Sequence, residues 1–255
     1  MQNLFDVKDK IALVTGSSRG LGLILARGLA ANGARVVLNG RNPEQLEKTY
    51  KEMKGEGYDV YVSSFDISDA RSIDAGIQDI ESSFGPIDIL VNNAGIQYRA
   101  PLEEFPEDQW RKILDVNLTG AFLVSRAVVS RGMKPRGKGK IINICSLQSD
   151  LGRSTIAPYA ASKGGLKMLT RGMTVDWAKY GIQINSIGPG YFATEMTKPL
   201  KDDPAFDSWI CGRTPSGRWG DPAELIGALL FFSSQASDFV NGQLLYVDGG
   251  ITAAI

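Results

Sequence analysis

The chain contains no histidine. That absence removes every catalytic unit built on an imidazole, including the Ser-His-Asp and Cys-His arrangements, and leaves a zinc site without its commonest nitrogen ligand. Acid–base chemistry must then fall to Asp, Glu, Lys, Tyr or Cys, and no metal site is expected. Cysteine is scarce as well. Cys145 and Cys211 lie far apart in sequence, which argues against a disulfide scaffold and suits a reducing cytoplasm. Neither sign of charge is in excess, with 28 Lys and Arg facing 28 Asp and Glu. A balanced chain has no electrostatic footprint for nucleic acid or an anionic membrane. The one basic cluster, Arg131–Lys140, is interleaved with glycine and proline and reads as a solvated loop. The segment Met1–Lys10 lacks the apolar core of a signal peptide, and apolar runs elsewhere fall short of the ~20 residues of a membrane helix.

What is present reads as one α/β domain over residues 1–255. An apolar content of 43% excludes disorder for a chain of 255 residues. Short β-rich runs alternate with longer helical patterns: strands over Lys10–Thr15, Arg35–Asn39, Asp59–Phe65, Asp88–Asn92, Lys140–Cys145, Ile182–Ile187 and Leu244–Val247. Helices are expected over Gly20–Asn32, Pro43–Gly55, Asp69–Phe84, Pro106–Arg131, Thr155–Tyr180 and from Asp221 to about Ser234. This alternation predicts a doubly wound, Rossmann-type domain: a seven-stranded parallel sheet with helices on both faces. Only Gly188–Thr214 shows no clear element, and an unassigned segment of that length suits a substrate lid.

The first strand runs into Gly16-Ser17-Ser18-Arg19-Gly20-Leu21-Gly22 and then a helix. Glycines let the backbone turn tightly beside a phosphate, and a helix N-terminus offers free N–H groups and partial positive charge. After the second strand, Leu38-Asn39-Gly40-Arg41-Asn42 carries no carboxylate to hold ribose hydroxyls. A 2′-phosphate would meet Arg41, with Arg19 as a second cation, which favours NADP over NAD.

Tyr159 and Lys163 are four residues apart on a predicted helix, hence on one face. A neighbouring ammonium favours the phenolate, so the pair predicts a tyrosine tuned for proton transfer at an alcohol or carbonyl oxygen. Ser146 ends the fifth strand, where parallel sheets line their ligand crevice. Cys145, beside it, reads as a small core residue and not a nucleophile.

With these elements the chain resembles the short-chain dehydrogenase/reductase family over nearly its whole length. The resemblance rests on the glycine loop, Asp66, Asn92-Asn93-Ala94-Gly95, Asn117, Ser146, Tyr159, Lys163, Pro189-Gly190 and Val247-Asp248-Gly249-Gly250. It implies that Tyr159 is the general acid in reduction and the base in oxidation. Lys163 would bind the nicotinamide ribose and depress the tyrosine pKa, Ser146 would orient the carbonyl, and Asn117 would hold a relay water. Asp66 and Ile67 would contact the adenine, Asn93 and Gly95 the adenosine ribose, and Ile187, Pro189, Gly190 and Thr194 the nicotinamide side. The resemblance also implies a homotetramer paired through the two long helices, with the apolar tail Ile251–Ile255 at another subunit contact.

Within that family, Asn143–Ser149, Ala157–Tyr159, Pro189–Thr197, Arg213–Gly220 and Gly95–Phe105 resemble the gluconate 5-dehydrogenase branch. That similarity implies interconversion of D-gluconate and 5-keto-D-gluconate. Relatives of that branch often carry two arginines where this chain has Tyr98-Arg99. A sugar acid needs a cation for its carboxylate, and an Arg fork fits that geometry. Arg99, Arg153 and Arg213 are the candidates, with Gln148 placed to read a hydroxyl. The alternatives are another reductase of the family, acting on 3-oxoacyl carrier protein or a polyol, and a catalytically silent NADP-binding sensor.

Overall fold

Seven short runs of branched apolar residues form β1 (Ile11–Val14), β2 (Arg35–Gly40), β3 (Val60–Ser64), β4 (Ile89–Asn92), β5 (Gly139–Ile144), β6 (Ile182–Pro189) and β7 (Leu244–Val247). In the computed structural model, which describes residues 3–194 and 197–254, they pair in the order β3-β2-β1-β4-β5-β6-β7. Every pairing is parallel, as strand–helix alternation requires. The chain reverses its direction of travel across the sheet between β1 and β4, and the crevice outside the strand ends there is the ligand position of such sheets.

Because side chains alternate along a strand, each strand feeds two apolar layers. Ala12 and Val14 of β1, Ile89 and Val91 of β4, and Ile142 and Ile144 of β5 enter one layer. There they meet Leu25 and Leu29 of α1 (Gly20–Ala31) and Leu46 and Met53 of α2 (Pro43–Gly55). Leu13, Leu90 and Ile141 point the other way, toward Ile73, Ile77 and Ile80 of α3 (Ala70–Ser83), Val124 and Val128 of a long helix, and Met173 of the helix Ala157–Trp177. Each fully buried Leu or Ile contributes ~1.5–3 kcal/mol, so these two layers hold the sheet. Local chemistry sets the helix ends. Asn42 accepts from the Gln45 N–H at 3.0 Å with Pro43 at the first turn, and α2 has the expected span.

Three segments differ from expectation. Arg131–Lys140 is not a solvated loop: the long helix runs without a break over Glu107–Arg136, through a π-helical turn at Val129–Met133. Met133 packs into the second layer, and Arg136 bonds Asp88 at 2.7 Å and the Ile87 carbonyl. Tertiary packing overrides the loop-like composition. This helix is also long and apolar enough, by length and composition, to cross a membrane; its apolar side is spent on the sheet.

Gly188–Thr214 is likewise structured. β6 continues to Pro189, and helices occupy Lys198–Lys201 and Pro204–Arg213. The second of these is started by Pro204 and by Asp203 accepting from the Ala205 N–H at 3.0 Å. Glu195 and Met196 of this segment lie outside the described residues. At the C-terminus, Ile251 does not project from the fold but is buried within its own chain, against Leu147, Ile210 and Trp219; Ile255 lies outside the described residues.

Buried asparagines tie the strand ends together. Asn92 on β4 donates to Asn143 on β5 at 2.9 Å and to Ser125 at 2.8 Å, and Asn143 donates to Thr170 at 2.8 Å. Replacing Asn143 by Ala leaves Asn92 and Thr170 each short of a partner in a dry site. An Asn143→Ala variant should lose about 2–4 kcal/mol of stability, read from the midpoint of urea unfolding.

Candidate active site

The glycine loop leaves β1 at Thr15. At Gly16 (φ +65°) an added Cβ would sit 2.8 Å from the Ala94 Cα, and at Gly22 it would sit 2.3 Å from the Gly16 carbonyl oxygen. Side chains are therefore excluded where loop, α1 and the β4 end meet. Thr15 and Asn93 lock this junction. The Asn93 amide donates to Thr15 O at 2.9 Å, and the Thr15 hydroxyl accepts from the N–H groups of Asn93 and Ala94 at 3.1 Å. Arg19 precedes α1 without capping it, and no acid occupies the first turn. The N–H groups of Gly20, Leu21 and Gly22 thus have no partner within the helix and no competing side-chain acceptor from the cap. Ser18 turns its carbonyl toward the Thr49 hydroxyl at 2.8 Å.

At the end of β2, Asn39 is buried and donates to the carbonyls of Ser63 and Phe65. Arg41 is exposed and lies 3.6 Å from Asp66. Burial raises the Asp66 pKa, but the Ser68 N–H and hydroxyl and the Arg41 charge outweigh it, so the carboxyl sits below its ordinary range. Ile67 is buried in the second layer. Arg41 is thus an exposed cation in a long ion pair, and the Asp66 carboxylate is occupied by Ser68 and Arg41, so the residues fit a 2′-phosphate.

Tyr159 and Lys163 share one face of the helix Ala157–Trp177, with the Lys163 Nζ 5.7 Å from the phenol ring centre. Lys163 is buried and donates to the Ile144 carbonyl at 2.6 Å. Its burial pushes the ammonium pKa down. Burial also pushes the Tyr159 phenol up, with a hydrogen bond from Ser146 acting the other way. Desolvation is the largest influence on each of the two groups.

Ser146 caps a short 3₁₀ turn, Leu147–Ser149. Its hydroxyl donates to Gln148 Oε1 at 2.7 Å. Ser149 accepts from the Ser146 N–H at 3.3 Å and donates to the Lys163 carbonyl at 3.0 Å, so the serine turn is fastened to the tyrosine helix. Asn117 lies in a π-helical turn, Asp115–Thr119. Its side chain accepts from the Ile96 N–H at 2.8 Å and donates to the Ile96 carbonyl at 3.0 Å and to Ser162 at 3.1 Å. A Cβ on Gly95 would lie 3.4 Å from Asn117 Oδ1 and 3.7 Å from Lys163 Nζ, which brings these groups together around that glycine. On the β6 side, Ile187 is buried, Pro189 ends the strand, the Gly190 N–H donates to the Val247 carbonyl, and Thr194 bonds Thr197.

The arginines separate. Arg153 donates to the Tyr191 hydroxyl at 3.0 Å and stacks 4.8 Å over the Phe206 ring. Arg99 has its pKa lowered by burial first and then by the like charge of Arg153, with Tyr191 opposing. Tyr191, whose hydroxyl accepts from Arg153, also bears on Tyr159. Arg213 instead donates to the Ala254 carbonyl at 3.1 Å and is not brought to this pair. Thr15, Ser149, Ser162 and Tyr191 carry no sequence signal, because their partners are 14 to 79 residues distant.

The chain matches the short chain dehydrogenase family over residues 10–205. It belongs to that family. A 5-keto-D-gluconate 5-reductase from Escherichia coli is 54% identical over 255 residues, spanning 100% of both chains. A 2-dehydro-3-deoxy-D-gluconate 5-dehydrogenase from Formosa agariphila is 49% identical, over 99% of this chain and 96% of that one. The crystal structure of a gluconate 5-dehydrogenase from Burkholderia cenocepacia in complex with NADP and tartrate is 54% identical, with a TM-score of 0.96 over 99% of this chain and 98% of that one.

For this short-chain dehydrogenase the cysteine beside the serine turn is chemically quiet. Cys145 is 2% exposed, and burial pushes its thiol up, so the reactive thiolate is disfavoured. Iodoacetamide at pH 8 should alkylate Cys211 at least about tenfold faster than Cys145 in the folded protein, as read by peptide mass spectrometry, and unfolding should erase the difference.

Proposed function

We propose that this protein is an NADP-dependent oxidoreductase that interconverts D-gluconate and 5-keto-D-gluconate. The observation that carries the reading is Tyr191, which bears electrostatically on Tyr159 and Arg99 while holding Arg153. On this reading a proton donor and two cations serve one substrate, as a keto acid requires. When bound, the nicotinamide supplies the hydride. In reduction Tyr159 donates its hydroxyl proton to the carbonyl oxygen; burial keeps the phenol protonated, which is the form this step needs. Ser146 exchanges its bond to Gln148 for one to that oxygen, and Gln148 is then free to accept from a substrate hydroxyl. Lys163 holds the nicotinamide ribose, and Asn117 lines its route of proton exchange with solvent. Arg99 and Arg153 receive the carboxylate, and residues 188–214 close over the substrate. At the far end of the cleft, Gly16 to Gly22, with Arg19 and Arg41, hold the phosphates, beside Asp66, Ile67, Asn93 and Gly95.

The exposed apolar side chains Met168 and Val175 on the helix Ala157–Trp177, and Trp110 on the long helix, support pairing with further copies of the chain in a tetramer. The paucity of cysteine and the buried Cys145 support a cytoplasmic setting.

A substrate panel followed at the nicotinamide absorbance tests the reading. The highest kcat/KM should go to 5-keto-D-gluconate; comparable rates on 3-oxoacyl thioesters or neutral ketoses would overturn it. Tyr159→Phe should lower kcat by about 10²–10⁴-fold with NADPH binding retained, and retained turnover would exclude the tyrosine mechanism. The pH dependence has a definite sign. Oxidation needs the deprotonated phenol, whose pKa is raised, so its kcat/KM should climb about tenfold per pH unit through neutrality while reduction stays flat. Arg41→Ala should weaken NADPH relative to NADH by about tenfold or more, the size of one charge-assisted hydrogen bond.

A further inference from the structure

Arg99 and Arg153 stand on different loops, one following β4 and one preceding the Ala157–Trp177 helix, and their charges oppose each other. Among the described residues neither forms an ion pair with a carboxylate. One backbone hydrogen bond crosses between the two loops: the Ala100 N–H donates to the Thr155 carbonyl at 3.2 Å. It lies one residue from Arg99 and two from Arg153.

The acceptor is unusual. Thr155 has φ +70°, and among the described residues it shares a positive φ without being glycine only with Asp9. A β-branched residue in the left-handed region is strained, and such strain persists only where surrounding contacts enforce it. Rotation about the N–Cα bond into the ordinary basin would swing the carbonyl with it, away from Ala100. Asp9, by contrast, lies in the turn before β1, remote from the cleft. The other cation is fixed from the opposite side, since Tyr191 and Phe206 hold the Arg153 head.

We propose that Thr155 is a specificity-determining positioning residue: its left-handed backbone presents a carbonyl to Ala100 and thereby fixes the Arg99 loop against the Arg153 loop, so that both cations meet one substrate carboxylate. The role belongs to the backbone, not to the hydroxyl. The inference rests on the reading above that these arginines receive the carboxylate. Because the tie acts on the carboxylate and not on the reacting carbonyl, it governs KM for an acid and leaves kcat alone.

Three variants test it, each compared on 5-keto-D-gluconate and on a neutral ketose, with NADPH binding by fluorescence as the check of folding. Thr155→Pro forbids positive φ, and Ala100→Pro removes the donor. Each should raise KM for the acid about tenfold, with kcat and the neutral-ketose kcat/KM within about twofold of the parent. Thr155→Gly keeps the conformation without its strain, and should keep the acid preference and raise the melting temperature. A loss of acid preference in Thr155→Gly would assign the effect to the side chain and overturn the proposal, even if the proline variants fail to fold. Arg99→Ala and Arg153→Ala in the same assay separate the two levels. If they leave the acid preference intact, the carboxylate reading fails. If they abolish it while folded Thr155→Pro and Ala100→Pro keep it, the role of Thr155 fails alone.

Discussion

A buried ammonium governs the centre of this molecule. Lys163 is 4% exposed and has the Ile144 carbonyl, at 2.6 Å, as its hydrogen-bond acceptor. A desolvated cation is costly unless it is held, and the holding recruits much of the surrounding structure. The acceptor is the last residue of β5, so the lysine helix must dock where the sheet ends. The backbone carbonyl of Lys163 accepts from Ser149, so the serine turn docks with it. Asn117, on the long helix, joins Ser162 one residue before the lysine. Strand, turn and two helices thus meet around one charge, and Tyr159 is carried into place one helical turn earlier.

The sheet makes that meeting possible by changing chemistry along its length. Its middle is branched and apolar on both faces, and its carboxyl ends turn to asparagine. Asn39, Asn92 and Asn143 are each buried at the ends of β2, β4 and β5, where ladder hydrogen bonding stops and backbone groups need other partners. Asn39 donates to the Ser63 carbonyl in β3 and to the Phe65 carbonyl just past it, while Asn92 donates to Asn143 and Ser125, and Asn143 donates to Thr170. A rigid polar rim results, and the loops that form the cleft begin from it.

This division explains what could be read from the sequence. The strands were legible because parallel strands buried on both faces are continuous apolar runs, and α2 because Asn42-Pro43 announces its start. Tyr159 and Lys163 were legible because a helix makes their spacing local. Arg131–Lys140 misled because Gly132, Pro135 and Gly137 look like loop residues; Met133 and Arg136 keep the segment helical through contacts made across the fold. The two helices inside 197–214 were hidden by their shortness and by prolines that also suit loops. Desolvation at the site was illegible too: spacing reveals the ammonium's proximity but not the burial that raises the phenol's pKa.

Charge along the cleft follows from the same constraint. A free charge beside the reactive pair would move both pKa values, a carboxylate upward and a guanidinium downward. The arginines are placed at the two ends instead. Arg41, just past β2, is exposed and lies 3.6 Å from Asp66, where solvent lowers the cost of an incompletely paired cation. At the other end Arg99 and Arg153 oppose each other, and Tyr191 and Phe206 supply a hydroxyl and a ring face where a carboxylate would have cancelled the charge. An arginine paired internally with Asp or Glu would be cheaper to fold but would have to break that pair to bind an acid. Arg99 and Arg153 have no ion pair among the described residues, so on the proposed reading neither would have a pair to break before meeting an anion.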